Sequence, residues 1–101
     1  MKYSFHPQAK TELNEAIDYY EECQEGLGYQ FLNEIYSTIQ NILKFPKAWS
    51  KFSKNTRRCL IRRFPFGVIY QIKNDEIIII AIMQLNRRPN YWKNRIKKDK
   101  V

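Results

Sequence analysis

The sequence predicts an α+β fold, an N-terminal helical hairpin packed on one face of a small antiparallel β-sheet, because helices come first and consecutive strands follow. Three observations carry that expectation. Apolar residues recur at helical spacing twice before residue 46, Gly26 and Gly28 separate the two stripes, and β-branched or alternating runs dominate residues 57–83. A chain of 101 residues has room for one domain with a modest core, and no repeat or low-complexity stretch divides it.

The elements follow in order. Lys2–Phe5 alternates and reads as a short strand, and His6-Pro7 then starts a helix with proline at its first position. Ala9, Leu13, Ala16, Ile17 and Tyr20 form the apolar stripe of that helix, with Glu12, Glu15, Asp18 and Glu22 on its other faces. After the two glycines, Phe31, Leu32, Ile35, Tyr36, Ile39, Ile42 and Leu43 rebuild the stripe, which Phe45-Pro46 ends. Residues 46–56 lose periodicity and read as a loop. Arg57–Ile61 and Phe66–Ile72 read as strands, and Asn74-Asp75 offers a two-residue hairpin turn. Centred there, the turn pairs Ile72 with Ile77, Tyr70 with Ile79 and Val68 with Ala81. The run Ile77, Ile78, Ile79, Ile80, Ala81, Ile82 has no polar face, which predicts a central strand covered on both sides. Residues 93–101 read as a basic tail with Ile96 as its interior apolar anchor, and fraying is expected there.

Charge narrows the function. Lys and Arg number 18 against 10 Asp and Glu, a formal net charge of +8. The balance is uneven: residues 1–50 carry four basic and seven acidic groups, and residues 51–101 fourteen and three. The basic second half points to an anionic partner, either nucleic acid or an acidic protein segment. No apolar run approaches the roughly 20 residues of a membrane helix, so no membrane partner is expected. The Met1 start shows no basic segment followed by an apolar stretch, which predicts a cytoplasmic protein with Cys23 and Cys59 reduced. A single histidine, no Cys-x-x-Cys and no glycine-rich phosphate loop give no reason to expect a metal or other cofactor. His6, just before a helix start, reads as a turn or cap residue.

The candidate site is cationic. Lys51 and Lys54 sit on the loop before the first main strand, Arg57, Arg58, Arg62 and Arg63 bracket that strand, and Arg87 and Arg88 leave the last one. Strand ends on one side of a sheet can converge, so these groups can meet phosphates on one face while Phe64, Phe66, Tyr91 and Trp92 stack on bases. The alternative is a solvated basic rim over core aromatics. Metal-free RNA cleavage suits guanidinium groups, which balance charge on the phosphate, but Arg, Lys and Tyr are poor bases at neutral pH.

The segments Arg63-Phe-Pro-Phe-Gly-Val-Ile-Tyr70 and Ala81-Ile-x-x-x-x-Arg-Arg-Pro-x-Tyr-Trp92, in this order of elements, resemble the RelE/ParE toxin family over residues 2–96. The resemblance implies a growth-inhibiting toxin of a bacterial type II toxin–antitoxin module. Its implied partner is a cognate antitoxin with an acidic amphipathic segment, in a toxin–antitoxin hetero-oligomer. It also implies one of two targets, since RelE-like members cut mRNA on the ribosome and ParE-like members inhibit DNA gyrase. Against the RelE-like pattern, Gly67 and Asn86 stand where catalytic arginines are expected, and Gln84 stands where many relatives have histidine. These departures lean the expectation toward the gyrase-inhibiting branch. If the chain is instead a nuclease, the resemblance makes Arg62, Arg63, Arg87, Arg88 and Tyr91 its catalytic candidates. For target or nucleic-acid binding, the candidates are Lys51, Lys54, Arg57, Arg58, Arg87, Arg88, Tyr91 and Trp92. A non-toxic basic nucleic-acid-binding domain is the remaining alternative.

Overall fold

The computed structural model describes residues 1–88 and 90–97. Strand β1 (Lys2–Phe5) leads into α1 (Pro7–Cys23) and α2 (Leu27–Lys44). Then come β2 (Arg57–Leu60), β3 (Phe66–Lys73), β4 (Glu76–Gln84) and a 3-10 turn at Lys93–Arg95. The four strands form one sheet in the order β1-β4-β3-β2. Among the described residues no helix is long and apolar enough to cross a membrane.

His6 caps α1 in extended conformation, its Nδ1 accepting the Gln8 amide at 3.1 Å, and Pro7 occupies the first turn where its missing N–H costs nothing. The Glu21 carboxylate takes the first amides of α2, from Gly26 at 2.9 Å and Gly28 at 3.0 Å. Gly28 is also where the helices touch, since a Cβ there would stand 2.6 Å from the Ile17 carbonyl oxygen.

The sheet is mixed, whereas the sequence pointed to an antiparallel one. Strands β2, β3 and β4 are antiparallel neighbours, but β1 runs parallel to β4 from Lys2↔Glu76 to Phe5↔Ile79. Loop 45–56 returns the chain so that β2 starts from the same end as β1. Two hairpin reversals then bring β4 into β1's direction.

The expected pairs Ile72↔Ile77 and Tyr70↔Ile79 are present, while Val68 faces Ile82 and not Ala81. The register shifts between Ile69 and Tyr70, leaving Ile80 as an extra residue in β4. This bulge changes which way the strand faces. Ile77, Ile79 and Ile82 point to the helices and join Leu13, Phe31, Ile35, Ile39 and Ile42 in the main core, while Ile78, Ile80, Ala81 and Met83 point to the other side.

That second face is covered by the chain's own continuation. Trp92 is fully buried on it, flanked by Phe52, Tyr91 and Ile96, so residues 91–97 form a strap in place of the expected frayed tail; residues 98–101 lie outside the described residues. On the helix side, Tyr20, Phe31, Phe64 and Phe66 form an edge-to-face aromatic cluster, which commits Phe64 and Phe66 to packing and not to base stacking.

Candidate functional site

The basic residues divide between the two ends of the sheet and do not converge. Lys51, Lys54 and Arg57 lie at the β3–β4 hairpin end, where Lys51 bridges to Arg57. Arg62 and Arg63 follow β2 and Arg87 and Arg88 follow β4, at the opposite end. Arg57 stands opposite Tyr70, while β2 ends opposite Gly67 and β4 opposite Phe66, so roughly 10 to 13 Å of strand lies between the groups at about 3.3 Å per residue.

The end holding Arg87 is built on Glu12. This carboxylate accepts the Ile82 amide at 3.1 Å, the Tyr91 hydroxyl at 2.7 Å, and Arg95 through Nη1 at 2.9 Å and Nη2 at 3.2 Å. Arg95 also donates to the Ile80 carbonyl at 3.1 Å. The ion pair therefore satisfies backbone groups that the bulge takes out of the β-ladder and fastens the strap to α1. Arg87 lies over Tyr91 with its guanidinium carbon 4.0 Å from the ring centroid, in cation–π contact. Burial, with the Glu12 hydrogen bond and charge, raises the Tyr91 phenol far above its ordinary range. The side chain is held as a proton donor. Burial and the nearby Arg95 lower the His6 pKa, with Glu12 opposing them.

Arg62 and Arg63 lean on the other helix. Arg63 has left-handed backbone (φ 70°), and its Nη2 donates to Gln30 Oε1 on α2 at 2.6 Å. Arg62 borders a cavity lined by Glu34, Asn41 and Trp49. Arg87 instead borders a groove between α1 and the sheet whose apolar residues are Ala16, Tyr19, Tyr20, Phe66 and Ile82.

Arg58 reaches the far face of the sheet. A Cβ on Gly67 would meet its stem at 3.2 Å, and its guanidinium lies 4.3 Å from the centroid of Phe52. The position without a catalytic arginine is thus covered by the aliphatic part of Arg58. Arg57 is anchored through Nη1 to the carbonyls of Lys47 at 3.2 Å and Trp49 at 2.8 Å. Trp92, a candidate for target contact, is enclosed because the second sheet face requires a cover, and it offers no surface to a partner.

Sequence reasoning passed over Glu12 and Arg95. A signal for Glu12 existed: it lies three residues after Ala9 and four before Ala16, at the border of the buried stripe, where a carboxylate requires a partner. Nothing local marks Arg95 as that partner.

Residues 3–89 match the family described as the ParE toxin of the type II toxin–antitoxin system parDE. The chain belongs to that family. A solved structure titled "Chromosomal ParDE TA system from P. aeruginosa" is similar to this ParE-family chain in fold, with a TM-score of 0.75 at 17% identity. The similarity covers 85% of this chain and 97% of that one. No curated protein matches this ParE-family sequence.

Proposed function

We propose that this ParE-family toxin inhibits growth in the cytoplasm by binding DNA gyrase, with the Arg87–Tyr91 end as its contact surface. The observation that carries this reading is the stacked Arg87–Tyr91 pair, whose hydroxyl is tied to Glu12 and whose proton is held tightly. A general base works best with a pKa near the operating pH, and this phenol lies far above it. Arg and Tyr held in a fixed pose are instead the side chains that commonly dominate protein contacts. Exposed Arg88 adds charge beside the pair.

A cognate antitoxin neutralises the toxin in this reading. The groove between α1 and the sheet suits an amphipathic segment, with apolar residues against Tyr19, Phe66 and Ile82 and an acidic group toward Arg87. The P. aeruginosa structure, titled as a ParDE system, supports such a pairing.

The purified chain is expected to block supercoiling of relaxed plasmid by gyrase. Arg87→Ala/Arg88→Ala is expected to weaken that inhibition at least about tenfold, or about 1.4 kcal/mol, while the thermal midpoint stays put. Full inhibition by the folded double variant refutes the contact surface. Mapping transcript 5′ ends within minutes of induction separates the other readings. New in-frame cuts would establish the mRNA endonuclease, with Arg62, Arg63, Arg87, Arg88 and Tyr91 as residues to mutate, and harmless expression would favour the non-toxic nucleic-acid-binding domain.

A further inference from the structure

At the hairpin end of the sheet, β2 stops pairing with β3 at Arg57↔Tyr70, so the outward edge of β3 from Gln71 to Lys73 has no β2 residue opposite it. A cleft of about 400 Å³ opens there, within the size range of small-ligand sites. Four of its lining residues are Lys51, Lys54, Arg57 and Lys97, and none of the described lining residues is Asp or Glu.

One of the cations is fixed in place by its charged group, and another by its backbone. Arg57 is held through Nη1, which leaves its Nη2 and Nε donors outside those two bonds. Lys97 is clamped by the buried Gln71 amide, which donates to its carbonyl at 2.7 Å and accepts its amide at 3.0 Å. The anchored guanidinium of Arg57 therefore needs no ordering on binding.

We propose that this cleft binds phosphate groups in series, as a nucleic-acid backbone or a free polyphosphate presents them. Three ammonium groups, of Lys51, Lys54 and Lys97, and the Arg57 guanidinium suit phosphate oxygens as point charges and a fork. An acidic protein segment would also need apolar anchors, and among the described lining residues Ile72 is the only aliphatic hydrophobic one. The Tyr70 ring is buried in the core and its hydroxyl donates to the Pro46 carbonyl at 2.5 Å, so no aromatic face is available for a base. Binding through this site is indifferent to base sequence. The cleft lies across the sheet from Arg87 and Tyr91, and the proposal stands whether or not gyrase is the target.

The test uses the full chain from cell-free synthesis and a fluorescein-labelled, mixed-sequence single-stranded DNA, with binding followed by anisotropy across a salt series. Single strands give about 0.7 units of log–log salt slope per phosphate contact. Lys51→Gln/Lys54→Gln is therefore expected to shrink the slope by about 1.4, and Lys51→Arg/Lys54→Arg to retain it. Lys10→Gln/Lys44→Gln, which removes the same charge from the helices, is expected to leave the slope unchanged. Equal losses in the two Gln pairs would mean diffuse attraction and overturn the site. Calorimetry with inorganic tripolyphosphate separates the two sources. Binding at one equivalent, lost in Lys51→Gln/Lys54→Gln, supports a free polyphosphate; DNA binding without tripolyphosphate binding supports the backbone. A poly-glutamate of matched charge that displaces the DNA as well as tripolyphosphate does would sink the phosphate assignment.

Discussion

Glu12 joins three parts of the protein through one carboxylate: its own helix, the bulged strand and the strap. Both it and Arg95 are largely shielded, with side-chain exposures of 14% and 8%, so removing one charge strands the other. Glu12→Gln is expected to cost about 3 kcal/mol, measured as a lower midpoint in urea unfolding. A midpoint unchanged from the parent chain would show that Arg95 finds water or another partner. The buried phenols add a pH limit. Burial raises Tyr70 from 10.0 to about 12, and Tyr91 is also raised. A pKa higher in the folded state contributes stability that is complete below the unfolded value and declines as pH rises toward the folded one. Stability should therefore fall from about pH 10 to about 12. Tyr70→Phe should lose about 1 kcal/mol at neutral pH with its hydrogen bond and show a shallower alkaline decline. An equally steep decline in the variant would exclude Tyr70 as a source.

The secondary-structure elements differ in how far the sequence reveals them. The helices are legible because each has a local start and stop: His6-Pro7 opens α1, Gly26 begins α2 in left-handed conformation and Phe45-Pro46 ends it. The β3–β4 turn is equally legible, as Asn74 and Asp75 both take positive φ, 52° and 60°, as a two-residue hairpin requires. The bulge is not. In a run of isoleucines every position suits either face, so one extra residue leaves no mark, and the expected register fails only beyond Ile79. The parallel seat of β1 and the strap are hidden for a different reason: each depends on contacts between distant parts of the chain. The candidate site is legible in its residue types and not in its grouping, because opposite ends of one sheet look adjacent when only the sequence is read. The helix–helix contact allows a direct check. Gly28→Ala sets a methyl against the Ile17 carbonyl, and about 1 to 3 kcal/mol of destabilisation is expected from such overpacking. Unfolding in urea measures it, and no loss would mean the hairpin shifts freely.

Over the whole molecule, charge and contact chemistry are arranged along the sheet. One end carries the stacked Arg87–Tyr91 pair beside the α1 groove, and the other carries the cleft edged by Lys51, Lys54 and Lys97. A protein target and a polyanion can thus be engaged together without competing for the same side chains. Raising salt should weaken the cleft steeply while affecting a packed aromatic contact less.

The strap also governs when the protein becomes whole during synthesis. The bonds from Arg95 to Glu12 close a loop of 83 positions, so Glu12 waits for its partner until residue 95 has been translated. Until then Ile78, Ile80 and Met83 have no Trp92 to cover them. The nascent chain therefore passes through a stage with a bare apolar sheet face, open to chaperones and to self-association. The same delay postpones the Arg87–Tyr91 shelf, so the toxin gains its proposed weapon only as its last strap residues arrive.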